Sequence, residues 1–302
     1  MIDKKRLIKT FTDLVKIDSE SRNEANVAKY IKNKLNKLGI KYKIDKSAVS
    51  TKSNHGNIVA KLGSDKKLPT ILLSSHMDTV TNGLGINPVI KKDSITSDGT
   101  TILGADDKSG LAIILETLEV LKKKKLYHYN IEAAITTCEE IGLLGAKFLD
   151  YSLLNSKQGI VLDSTSPERL VYKGPSSDYF NIIIQGVEAH SGINPEKGVS
   201  SIAASAEIVS KMKTGRINSN TTINIGKISG GSAINIVPGK TVISCEIRSH
   251  NEKTIKTEIN KIKKLIENVN KKYKKINKKF NAKIKIERIY DSINIPKNSL
   301  II

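Results

Sequence analysis

Apolar residues recur at helical spacing near the start of the chain, first at Leu7, Phe11, Leu14 and Val15, then at Val27, Ile31, Leu35 and Leu38. The polar stretch 18–24 between them predicts a loop with candidate helix caps, and Gly39 is placed to stop the second helix. Short apolar runs follow at 57–62, 70–75, 131–137 and 159–162, with a helix-like pattern over about 108–121. Strands alternating with helices predict an α/β sheet, mostly parallel and covered on both faces. Beyond Gly174-Pro175 the rhythm changes. Strands are expected at 179–185, 221–228, 241–247 and 283–289, and helices at 199–212 and 252–275. That β-α-β-β-α-β order predicts an inserted α+β domain of ferredoxin-like type. The expected boundaries are 1–174 for the first part of an α/β domain, 175–288 for the insert and 289–302 for the start of a return.

Composition narrows the class. A chain of 302 residues suits about two domains. The charged N-terminus lacks the apolar core of a signal peptide, and no apolar run approaches the roughly 20 residues that span a bilayer. Cys138 and Cys245 show no C-x-x-C spacing, so neither a disulfide framework nor a zinc knuckle is expected, and a reducing, cytoplasmic setting fits. The net charge of +20 raises the question of nucleic acid. The lysines, however, are spread through nearly every segment and tryptophan is absent, so no specific nucleic-acid partner and no membrane are expected. Non-specific attraction to polyanions at low salt remains expected.

Four clusters carry chemistry, each just past the carboxyl end of an expected strand, where α/β sheets present ligands. In His76-Met-Asp78 the first and third residues face one way, so Asp78 can support His76 while the imidazole binds a metal; the alternative is a surface histidine beside a turn aspartate. The segment 104–110 sets Asp106 and Asp107 before a helix, as a cap or as a bridging metal carboxylate. In Cys138-Glu139-Glu140, one glutamate can bind metal while the other faces a water as general base; a helix-opening glutamate pair is the plainer reading. Cys138 itself reads as a small buried apolar residue. Asp163 ends the run 160–162 and alone would be a turn former. One histidine and several carboxylates at four successive strand ends are what a mixed nitrogen/oxygen two-zinc site requires, an ordering that helix capping does not require.

The ordered set His-x-Asp, Gly-Ala-Asp-Asp-Lys-x-Gly, Glu-Glu-x-Gly, Leu-Asp and Ala-His-Ser-Gly resembles the dinuclear zinc exopeptidases related to aminoacylase and glutamate carboxypeptidase. Within that family it is most similar to the peptidase T (tripeptide aminopeptidase) branch, to which Thr79, the segment 235–238 and the segment 246–250 also point. The resemblance covers nearly the whole chain. It implies two zinc ions, with His76 and Asp163 on the first, Glu140 on the second and Asp106 bridging through a residue in cis linkage to Asp107. Glu139 would be the general base, and Asp78 would support His76. The insert would be a lid or dimerisation domain whose His190 stabilises the oxyanion across a homodimer. Asn235 and Arg248 would contact a short peptide substrate, although Arg248 also reads as an ordinary strand-surface ion-pair partner.

Members of that family return to the catalytic domain after the lid and supply a late histidine to the second metal. Here the segment 291–296 resembles the start of that return, and the sequence ends at Ile302. An incomplete second site is therefore expected. The readings are a peptidase impaired by truncation, an enzyme completed by another chain or working with one metal, and an inactive remnant that binds peptides or dimerises. A related deacylase or carboxypeptidase shares the same metal core.

Overall fold

The computed structural model describes residues 2–63, 65, 67–164, 166, 168–299 and 301. The chain forms two compact units that divide between Arg169 and Leu170.

The first unit contains, in chain order, α1 (Lys4–Val15), α2 (Ala25–Lys37), β1 (Lys41–Ile44), α3 (Ser47–Thr51), β2 (Ile58–Leu62), β3 (Thr70–His76), β4 (Pro88–Ile90), β5 (Ile95–Ser97), α4 (Ala105–Lys124), β6 (Asn130–Thr136), α5 (Leu144–Lys147) and β7 (Gln158–Val161). Five strands form one sheet in the order β1-β2-β6-β3-β7. It is mixed. β3 runs parallel to β6 and to β7, whereas β2 is antiparallel to both β1 and β6. The parallel trio is the part that matters for the site, because its carboxyl ends all lie on one edge. Strand β6 is buried on both faces along Ile131–Thr136, which is why it reads as an unbroken run rather than an alternation. The core joins Leu14, Val27, Ile31 and Leu35 of the first two helices to Ile58, Ile135 and the Leu111, Ile114, Leu118 stripe of α4. Gly39, with φ +61°, follows α2 as expected of a glycine stop.

The second unit holds β8 (Lys173–Gly174), β9 (Ser176–Gln185), α6 (Ser201–Lys211), β10 (Gly215–Asn218), β11 (Thr221–Gly230), β12 (Lys240–Ser249), α7 (Glu252–Tyr273), β13 (Asn281–Tyr290) and β14 (Ile293–Asn294). Its antiparallel sheet has the order β10-β11-β12-β9-β13. Without the edge hairpin strand β10, that is the strand arrangement of a ferredoxin-like fold. Both helices start at side-chain caps: Ser200 accepts from the Ala203 N–H, and Asn251 from those of Lys253 and Thr254. The isoleucine stripe of α7 (Ile255, Ile259, Ile262, Ile266) packs with Phe180, Ile182 and Ile184 of the interior strand β9. In the last segment, Ile293 and Asn294 pair with Gly174 and Lys173.

Strand β9 has neighbours on both sides, and Ile182 is wholly buried there, whereas Ile202 on α6 is 44% exposed. Ile182→Ala should therefore cost about 2–5 kcal/mol in chemical denaturation. Ile202→Ala should stay within about 0.5 kcal/mol of wild type.

Candidate metal centre

The edge formed by the carboxyl ends of β6, β3 and β7 collects every first-unit residue singled out from the sequence. His76 closes β3 and is almost completely buried. Its Nδ1 lies 2.9 Å from the backbone carbonyl of Asp78 and 3.4 Å from that residue's Oδ1. The nearer acceptor for His76 is thus the carbonyl of Asp78 rather than its carboxylate. The other ring nitrogen, Nε2, faces a set of carboxylates: Asp106 Oδ1 at 3.1 Å, Glu139 Oε2 at 3.9 Å and Asp163 Oδ2 at 3.9 Å. Two groups have ligand atoms that all lie within 4.8 Å of one another: His76, Asp106 and Glu140, and His76, Glu139 and Asp163.

The two aspartates at the start of α4 divide the alternatives that the sequence left open. Asp107 caps the helix, its Oδ1 accepting from the Gly110 N–H at 3.0 Å. Asp106 turns toward His76 instead, and the peptide between the two aspartates is cis. Gly110 is required by close approach: a Cβ there would meet the Leu162 carbonyl and the Asp107 carboxylate at 2.5 Å each. The glycine therefore lets α4 lie against the end of β7, next to Asp163. Lys108 points the other way and is fully buried, donating to Ser19 Oγ at 2.6 Å and to the Leu14 carbonyl at 3.3 Å. Burial lowers its pKa to about 8.

The turn bearing Glu139 and Glu140 is held from below. The buried Asp78 carboxylate accepts from the backbone N–H groups of Glu139 (3.0 Å) and Glu140 (3.2 Å) and from Ser21 Oγ (2.7 Å). Burial disfavours its charge, but His76, Ser21 and the Glu139 N–H prevail and keep its pKa below the usual carboxylate value. Asn57 accepts from the Thr137 N–H (3.0 Å) and donates to the Gly145 carbonyl (2.8 Å). Glu24 accepts from the Cys138 N–H (3.0 Å). Cys138 is buried, as a small apolar residue should be, and burial together with Glu24 pushes its thiol up to about 12. Glu24, Asn57, Ser21 and Lys108 were given no role from the sequence: Ser21 and Glu24 sit in a polar loop, Asn57 heads an apolar run, and Lys108 is part of the 104–110 motif without a chemistry of its own.

Electrostatics decide what the cluster lacks. Burial raises the pKa of Glu139 to about 7, with Asp163, Glu140 and Asp78 adding to the effect and His76 opposing it. Burial and Asp106 raise Asp163, and the same two causes raise Glu140. For His76 burial disfavours the charge, but Asp78 and the surrounding carboxylates prevail and raise its pKa to about 10. Asp107 Oδ2 is buried without a hydrogen-bond partner. A crowd of oxygen donors that resist ionisation, one imidazole nitrogen and an orphaned carboxylate oxygen fit a divalent cation of the kind that accepts mixed nitrogen and oxygen ligands.

In the second unit His190 and Asn235 lie together: Ser191 N–H donates to the Asn235 carbonyl at 3.0 Å, and His190 bridges to Ile236. The Gly192 N–H donates to His190 Nδ1 at 3.2 Å, which leaves the ring proton on Nε2. Arg248 stands apart from them on β12, where its Nε donates to Glu246 Oε1 at 2.7 Å, as the ion-pair alternative anticipated.

Residues 57–181 match the model of peptidase family M28, and residues 176–274 match the peptidase dimerisation domain. A tripeptidase from Staphylococcus aureus superposes with a TM-score of 0.90 at 38% identity, over the whole of this chain and 80% of that one. The chain belongs to the peptidase T-like family of hydrolases. Uncharacterized protein YqjE of Bacillus subtilis is 41% identical over 268 residues, which are 88% of this chain and 72% of that protein. Peptidase T of Aliivibrio salmonicida is 29% identical, and the chain spans 60% of its length. No helix among the described residues is long and apolar enough to cross a membrane.

The raised pKa of Glu139 has a sign that can be tested. A carboxyl whose folded pKa is raised destabilises the fold progressively as pH climbs from its ordinary value to the raised one. Comparing metal-free wild type with metal-free Glu139→Gln, the variant's relative melting temperature should rise between pH 4.5 and about 7 and then level off. A difference that stays flat across that window would remove the case for a strained carboxylate.

Proposed function

We propose that the chain hydrolyses short peptides, tripeptides foremost, by zinc-assisted attack of water on the scissile carbonyl. The observation that carries this reading is the convergence of Asp106, Glu139, Glu140 and Asp163 around Nε2 of one buried histidine. His76, Asp106, Glu140 and Asp163 would hold the metal. A bound zinc ion supplies Lewis-acid polarisation and lowers the pKa of water.

The remaining work falls to the protein's own groups. Glu139, whose carboxylate faces the same ring nitrogen at the rim of the cluster, would take the water's proton and return it to the leaving amine. Asp78 holds Glu139 and Glu140 through their backbone and helps orient His76, so that its part is positional. Across the homodimer, His190 would donate its Nε2–H to the developing oxyanion, a role that the Gly192 contact supports by fixing the tautomer. Asn235 would contact substrate beside it, and Arg248 would do so through the part of its guanidinium that Glu246 does not hold. The dimerisation-domain match supports a homodimer through the second unit. Two free, buried cysteines suit a reducing, cytoplasmic setting.

The test is hydrolysis of a tripeptide panel by the purified chain with added zinc, with metal content measured in parallel. Wild type should bind zinc and release the N-terminal residue, while Glu139→Ala should lose about 100- to 10,000-fold in kcat. Equal turnover by both would sink the assignment of the base. Zinc-free, inactive wild type would favour a binding remnant, and release of the C-terminal residue or of an acyl group would favour the carboxypeptidase or deacylase reading.

A further inference from the structure

Four consecutive backbone N–H groups at the end of β6, those of Thr137, Cys138, Glu139 and Glu140, all donate to buried side chains. Their acceptors are Asn57 Oδ1 (3.0 Å), Glu24 Oε1 (3.0 Å) and the two oxygens of Asp78 (3.0 and 3.2 Å). A strand cannot do this, since its successive N–H groups alternate in direction. The chain manages it by placing Cys138 in the left-handed region at φ +52°, a conformation disfavoured for any residue with a Cβ. Something must hold it there, and Glu24 makes the contacts that do. Its Oε1 accepts from the Cys138 N–H and from the Cys138 thiol at 3.3 Å, and also from the Arg22 N–H at 3.0 Å. Its Oε2 is fixed by Ser53 Oγ at 2.5 Å.

The plainer role for a buried glutamate at this point, capping α2, does not apply. Glu24 occupies the cap position but makes no capping hydrogen bond with its side chain, and the exposed Ala25 N–H is taken by Asn54 Oδ1 at 2.8 Å. The carboxylate is instead fully buried and aimed at the residue immediately before Glu139.

We propose that Glu24 is a positioning residue of the hydrolytic site: it locks Cys138 in the left-handed conformation, so that Glu139 and Glu140 enter the metal cluster in their separate directions. The inference rests on the peptidase reading above for its kinetic readout, and on geometry for the rest.

The experiment compares the full chain as wild type, Glu24→Ala, Glu24→Gln and the double variant Glu24→Ala/Cys138→Gly, measuring kcat, KM, zinc affinity by calorimetric titration and melting temperature. Glu24→Ala should lower kcat and weaken zinc binding by about 10- to 100-fold, the usual loss when support behind a metal site is removed, with KM changed less than about threefold. Glu24→Gln should stay near wild type, because its amide oxygen still accepts from Cys138 and the Ser53 hydroxyl can reverse to accept from the amide nitrogen. In the double variant, glycine adopts the left-handed conformation without penalty, so kcat should recover at least about fivefold over Glu24→Ala. A purely structural role predicts no such rescue, and its absence overturns the proposal, as does a wild-type kcat in folded Glu24→Ala.

Should Glu24→Ala fail to fold, Glu24→Asp carries the test. It keeps the buried charge but withdraws the acceptor by one methylene, so an unchanged kcat there would overturn the proposal. If wild type binds zinc but hydrolyses nothing, the peptidase reading fails on its own. The zinc affinities then decide for Glu24: equal values in wild type and Glu24→Ala overturn it, and a weakened Glu24→Ala rescued by Cys138→Gly upholds it.

Discussion

Like charge concentrated at one point is the constraint that this structure is built to meet. Two unit charges 4 Å apart repel by about 4 kcal/mol at an effective dielectric constant of about 20. Several carboxylates share the region around His76 Nε2. Set against a net folding stability of about 5–15 kcal/mol, such a cluster forms only if its members are held by something that does not itself depend on the cluster. Three parallel strands provide that support. Their ends are fixed by sheet pairing and by core contacts far from the carboxylates; His76, Glu139, Glu140 and Asp163 are added where the backbone leaves the sheet, and Asp106 comes from the start of α4.

The polar layer beneath the cluster translates this rigidity to individual side chains. Asp78 joins the end of β3 to the turn after β6, Asn57 joins the approach to β2 to the same turn, and Glu24 joins the start of α2 to it. Lys108 ties the start of α4 to the loop after α1. The Asn57, Glu24 and Lys108 linkages are buried and those of Asp78 partly so, and breaking a buried one leaves an unmade hydrogen bond inside the protein, at a cost of about 1–3 kcal/mol for the orphaned group. Rigidity here follows from that penalty rather than from the net strength of the bonds.

This division explains what could be read in advance. The strands of the parallel trio are apolar runs ending in a polar residue, a pattern that announces both the strand and the place where it presents a ligand. His76, Glu139 and Asp163 were legible for that reason. The short strand Lys41–Ile44 alternates polar and apolar residues, but its four positions lie on a sheet edge, are mostly exposed and are too few to stand out. Glu24 left no trace for a different reason. Its decisive bond spans 114 positions, and that of Asn57 spans 80, so neither local periodicity nor motif spacing encodes them. Local pattern made Asp106 and Asp107 legible only as a pair, because which of them caps and which faces His76 depends on the path of the backbone; the family resemblance alone singled out Asp106.

The net charge of +20 comes from lysines found along the whole chain. At physiological ionic strength fields from exposed lysines decay over about 8 Å, and those lysines are spread across both units. The N-terminus of α4, which carries Asp106 and Asp107 in its first turn, contributes at most about 2 kcal/mol, less than the repulsion within a single close pair. Lys108 follows these aspartates directly, yet its ammonium group is directed to Ser19 and Leu14. His76 supplies one positive charge among several carboxylates. The alternatives left are protonation, which the raised pKa of Glu139 already expresses, or a cation of higher charge seated among the oxygens. A site that resists its own ionisation when empty is, by the same interaction, one that favours a divalent ion when filled.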